Sequence, residues 1–96
     1  MAIPTITDAK REAILKLADK YGISNVRVFG SVARGDADEN SDLDLLIDME
    51  KPSLFKLGGF NYCVEELMGC RVDTVKPEAI KHSVLRERIF GEARPI

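Results

Sequence analysis

Basic residues are not in excess in this chain: 14 Lys and Arg against 16 Asp and Glu give a net charge of −2. No positive surface therefore announces DNA or RNA, and direct nucleic-acid binding and polymerase-like work are disfavoured. Long hydrophobic runs are missing as well. The longest strongly apolar stretch, Leu45-Leu46-Ile47, is far short of a bilayer span, and Lys10-Arg11 is not followed by the apolar core of a signal peptide. A soluble, cytoplasmic protein without membrane association is expected. Only Cys63 and Cys70 carry thiols, too few for a cysteine-built zinc site, and both are expected to be reduced packing residues. The single histidine, His82, lies between Lys81 and Ser83 and suits a surface or a helix boundary rather than catalysis. Repeats, linkers and low-complexity stretches are absent too, so residues 1–96 are expected to form one small domain with one core.

What the chain does have is a regular alternation of elements. Thr7 or Asp8 can cap a first helix to Tyr21, stopped at Gly22, with Ala13, Ile14, Leu17, Ala18 and Tyr21 as its apolar stripe. Val26-Arg27-Val28-Phe29 reads as a strand, followed by a helical turn around Val32-Ala33, an acidic loop and a second strand through Leu45-Leu46-Ile47. Ser53 caps a second long helix to about Met68, ended by Gly69. Arg71-Val72-Asp73-Thr74-Val75 reads as a further strand, and Pro77 opens a last helical region from Glu78 to about Glu92, broken near His82-Ser83. The pattern predicts an α+β fold, a small mixed sheet packed with helices.

The chemistry is concentrated where the first strand ends. Gly30-Ser31 closes that strand where a helix can begin, so that backbone N–H groups and a hydroxyl point at an anion, and a phosphate suits such a turn. Further along, Asp42 and Asp44 are two residues apart; in a strand both point to one face, roughly 6.6 Å apart along it. Seven acidic residues and no Lys or Arg lie between Asp36 and Glu50. A bare triphosphate would be repelled there, whereas Mg²⁺, which takes oxygen ligands from one or two carboxylates plus substrate phosphates, resolves the conflict. Asp73, on the next strand, is the candidate third carboxylate. Asp48 lies roughly 13 Å along the strand from Asp44 and is expected on a solvated face, and Asp36, Asp38, Glu39, Asn40 and Ser41 look like turn formers. Arg34 has two readings, a guanidinium that neutralises phosphate charge or a turn arginine paired with Asp36 or Asp38.

At Val28-Phe29-Gly30-Ser31-Val32-Ala33-Arg34-Gly35-Asp36, Ser41-Asp42-Leu43-Asp44-Leu45-Leu46 and Leu67-Met68-Gly69-Cys70-Arg71-Val72-Asp73-Thr74-Val75 the chain resembles the minimal nucleotidyltransferases of the DNA polymerase β superfamily. The resemblance implies that fold and an ATP-dependent nucleotidyl transfer, with Gly30 and Ser31 on phosphate and Asp42, Asp44 and Asp73 as the catalytic residues that hold Mg²⁺. It also implies an antitoxin paired with a helical HEPN-type toxin, to a tyrosine of which AMP is transferred. A non-catalytic antitoxin acting by binding alone is the alternative. Val32, where relatives often carry a larger basic or aromatic residue, and the ending Glu92-Ala93-Arg94-Pro95-Ile96 depart from the family pattern. On the second long helix, Leu54, Leu57, Phe60, Val64, Leu67 and Met68 are expected to face the sheet. Phe55 and Tyr62 then lie opposite, beside Gly58 and Gly59. They form a surface for the toxin or a homodimer, or are covered by the last helix through Leu85, Ile89 or Phe90.

Overall fold

The computed structural model describes residues 6–96. Among these residues four strands form one mixed sheet: β1 (Ile23–Phe29), β2 (Leu43–Met49), β3 (Val72–Val75) and β4 (Arg94–Pro95), in the order β3-β2-β1-β4. β1 runs antiparallel to both β2 and β4, and β2 runs parallel to β3. A parallel neighbour needs a crossover. Helix α3 (Leu54–Met68) supplies it, opened by Ser53, whose hydroxyl accepts from the Lys56 N–H at 3.2 Å, and closed by Gly69 in the left-handed region at φ 68°. Helix α1 (Asp8–Lys20) starts at Thr7, whose hydroxyl accepts from the Lys10 N–H. Of the two expected caps, Thr7 is therefore the one used.

Period-two geometry on β2 divides the molecule into two layers. Leu43, Leu45, Ile47 and Met49 point to one face, where they are buried with Ile14 and Ala18 of α1 and Phe60, Val64 and Met68 of α3. The stripe expected on α1 does pack on the sheet, with Leu17 and Tyr21 at its margin. Leu46 points the other way, into a smaller cluster with Phe29, Ile80 and Ile89. Asp44 shares this thinner face with Leu46, and so does Asp48. Fully burying Leu46 and Ile89 contributes roughly 1.5–3 kcal/mol each, which fixes the C-terminal helix α4 (Ser83–Glu92) against the face that carries the carboxylates.

The last helical region is divided as its sequence suggests, into a single 3₁₀ turn at Pro77–Ala79 and α4, with His82 at the boundary accepting from the Leu85 N–H through Nδ1. Three expectations need correction. Leu54, the first residue of α3, does not face the sheet but is 85% exposed. The last helix does not cover Phe55 and Tyr62; it lies on the opposite layer through Ile89, and Phe90 stacks on Arg27 and Arg86 instead. Gly59 belongs to the α1–α3 contact, since a Cβ there would meet the Tyr21 ring. The two-residue strand β4 had no signal in the sequence. No helix among the described residues is long and apolar enough to cross a membrane.

Candidate active site

Register brings the site together. Phe29, the last residue of β1, is opposite Asp44, and Asp44 is opposite Asp73 on β3. Gly30 and Ser31 follow Phe29 directly as the start of the short helix α2 (Gly30–Arg34), so the turn and two of the carboxylates meet at one end of the sheet. Gly30 has φ +75°, and a Cβ placed on it would run into the Asp44 carboxylate. Both facts require glycine: L-residues seldom adopt that φ, and the space that a methyl would fill is taken by the acid. The glycine first assigned to phosphate approach thus also makes room for Asp44.

Asp42 stands one residue ahead of β2 and is exposed rather than inside the strand. Its position is nevertheless held from both sides. The Leu43 N–H donates to the Arg71 carbonyl at 2.9 Å, extending the β2–β3 ladder to the residue after Asp42. The Asp38–Ser41 turn closes on itself, with Asp38 N–H donating to the Ser41 hydroxyl and Asn40 N–H to the Asp38 carboxylate, both at 2.9 Å. Asp38 is engaged in the turn, in accord with its reading as a turn former. Asp48 is likewise away from the site, accepting from Asn25 at 2.8 Å and Arg27 at 3.4 Å near the far end of β2.

Electrostatics mark Asp44 as the centre. Partial burial, then the charges of Asp73 and Asp42, push its carboxyl from the ordinary 3.8 up to about 6, against a smaller opposing effect of Arg34. Three carboxylates that feel one another on rigid strand ends offer the hard oxygen donors that Mg²⁺ takes, and a divalent cation would relieve their repulsion. Among the described residues no three His, Cys, Asp or Glu side chains already stand as a metal-holding group. The acids are neighbours through register without being drawn into a ligand set. The chemistry of the donors and the cradle that Gly30 leaves for Asp44 fit the cation.

Arg34 unites its two readings only in part. It pairs with Asp36 at 3.2 Å, as one of them has it, but its shorter contact, 2.9 Å, is to Glu92 at the end of α4. Glu92 is drawn below the usual carboxylate range, chiefly by that Arg34 hydrogen bond, with the Gly30 backbone N–H contributing, and Arg34 is raised in turn. An acid therefore lies beside the Gly30–Ser31 turn and on Arg34. Nothing in the sequence pointed to Glu92, because its partner is 58 residues away and only the return of α4 to the sheet joins them.

Residues 10–96 match the nucleotidyltransferase domain family. The chain is similar to the protein adenylyltransferase MntA of Thermococcus cleftensis, 40% identical over 80 residues, which cover 78% of this chain and 81% of that one. A Methanocaldococcus jannaschii protein provisionally named a protein adenylyltransferase is 37% identical over 89 residues, covering 92% and 94%. Among solved structures, one described as a minimal nucleotidyltransferase is 45% identical with a TM-score of 0.80, covering 92% of this chain and 90% of that one. A toxin–antitoxin complex with AMP-PNP shares the fold at a TM-score of 0.73 and 18% identity, covering 88% and 70%. The chain belongs to the nucleotidyltransferase domain family. Within it, the chain is a nucleotidyltransferase similar to proteins named as protein adenylyltransferases.

Proposed function

We propose that this domain transfers AMP from ATP to a hydroxyl of a partner protein, a tyrosine of a HEPN-type toxin, and so acts as its antitoxin. The observation that carries the reading is Asp44, seated against the Gly30 turn and in register with Asp73. The relatives named as protein adenylyltransferases and a fold neighbour described as a toxin–antitoxin with AMP-PNP support the nucleotide and the kind of partner.

Each residue has a distinct task. Gly30 and Ser31 hold phosphate oxygens at the start of α2, and Arg34 supplies positive charge beside them. Asp42 and Asp44 would hold Mg²⁺ shared with the triphosphate, and Asp73 a second metal; bound there, the cation neutralises charge on the phosphates and lowers the pKa of a bound hydroxyl. Asp73 would take the acceptor's proton. The acceptor oxygen attacks the α-phosphorus in line, forming the new P–O bond as the bond to pyrophosphate breaks. The acceptor comes on another protein, as the relatives named as protein adenylyltransferases suggest.

Incubating the purified domain with ATP, Mg²⁺ and the product of the adjacent gene, expected to be a HEPN-type toxin, followed by mass spectrometry of that protein, tests the reading: AMP on a tyrosine is expected, and an unmodified partner refutes it. The exposed Leu54 and Phe55 also suit a second reading, neutralisation by binding alone. Neutralisation that outlasts removal of the domain and ATP excludes it.

A further inference from the structure

We propose that the exposed apolar face of α3, with the groove between α3 and the edge strand β3, is the docking surface for the protein acceptor. This rests on the transfer reading given above. Leu54, Phe55 and Tyr62 are 85%, 91% and 63% exposed, and with Gly58 they fall within an arc of about 100° on the helix. Isolated exposed apolar residues are ordinary, but three large ones on one face of one helix mark a contact surface. On one side this arc runs into a groove of about 290 Å³ lined by Leu54, Leu57, Gly58, Asn61, Val72, Asp73 and Thr74. The apolar face and a candidate catalytic residue are thus parts of one continuous surface.

The groove suits a side chain of a docked protein better than a free ligand. Its volume lies at the bottom of the roughly 300–1,000 Å³ found for small-molecule sites. Its wall is fixed, since the Thr74 hydroxyl bonds Asn61 Oδ1 at 2.6 Å. β3 is an edge strand, yet the Val72 N–H already donates to the Glu65 carboxylate at 3.0 Å. That caps an edge amide that an added strand would need. The occupant therefore docks through side chains on the apolar arc and reaches round the β3 edge to Asp73. α4, the other element that could cover α3, lies on the opposite layer.

The test uses the whole domain and the HEPN-type partner as acceptor, comparing wild type with a Leu54→Ser, Phe55→Ser double variant and with Val84→Ser, an apolar control 68% exposed on α4. In the double variant, KM for the acceptor should rise about ten-fold or more, the scale of losing an interface anchor. Melting temperature and MgATP affinity should stay as in wild type, and Val84→Ser should leave KM unchanged. An unchanged KM in the double variant overturns the proposal, as does a lowered melting temperature with KM intact, or loss of a homodimer without a change in KM. If the wild-type domain binds the partner but transfers no AMP, the transfer reading fails while the surface is still tested, because the double variant must then weaken the binding itself. A wild type that neither binds nor modifies this partner overturns both.

Discussion

Replacing Asp44 by Asn should abolish transfer and, at the same time, make the domain more stable. The carboxyl is pushed from 3.8 to about 6 by partial burial and by the charges of Asp73 and Asp42. At 1.36 kcal/mol per pH unit the gap corresponds to about 3 kcal/mol at full weight, and because the group is still substantially exposed, screening reduces this to about 1 kcal/mol. The sign follows from proton binding. Between pH 3.8 and 6 the folded state holds more protons than the unfolded state, so wild-type stability falls as pH rises through that window and the whole penalty is present at pH 7.5.

Asn has nearly the same volume and no charge, so it keeps the packing against Gly30 and escapes the penalty. For a chain of this size about 1 kcal/mol is about 4–8 °C in melting temperature. Thermal melts of wild type and Asp44→Asn across pH 4 to 7.5 should show the variant higher at pH 7.5 and the difference vanishing towards pH 4. Adding Mg²⁺ at pH 7.5 should raise the wild type alone. A variant that melts at or below wild type at pH 7.5, or a difference independent of pH, would refute the placement of Asp44 among repelling charges. At limiting Mg²⁺, transfer by wild type should also fall as pH drops through about 6, because the proton competes with the cation for Asp44, and excess Mg²⁺ should move the fall to lower pH.

Gly30→Ala should lose about 1–3 kcal/mol in urea unfolding through its left-handed φ and should lose MgATP binding in titration calorimetry, because the new methyl displaces Asp44; wild-type affinity would show that the cradle is dispensable. Ser31→Ala should be milder, removing one donor to a charged phosphate, worth roughly 1.5–3 kcal/mol of MgATP affinity, with the fold intact by circular dichroism. Asp73→Asn should stop AMP transfer in a radiolabel assay yet keep MgATP binding through Asp42 and Asp44; loss of both would show that it holds the nucleotide's own metal. Glu92→Gln should tighten MgATP binding a few-fold, since the acid competes with phosphate for Arg34 and the Gly30 N–H, and weaker binding would show instead that Glu92 serves to orient the arginine.

Much of the site could be read from the sequence because its logic is local. Gly30-Ser31 ends a strand, and Asp44 and Asp73 each lie in a short apolar strand run, so neighbouring strands in register were enough to align them. Helix limits were legible for the same reason, with Ser53 and Gly69 acting on their own turns. Much of what was not legible depends on where α4 and β4 return. The Glu92–Arg34 contact, the covering of Leu46 and Phe29, and the exposure of Phe55 all follow from α4 choosing the thin layer. Its helical periodicity does not encode that choice, since apart from Ile89 its apolar residues face solvent. The choice has a functional consequence. By packing on the face that carries Asp44, α4 brings the Glu92 carboxylate to the Gly30–Ser31 turn, and it leaves α3 uncovered beside Asp73. On the transfer reading proposed above, the chain itself would close the nucleotide side of the site and leave the acceptor side for the partner protein to complete.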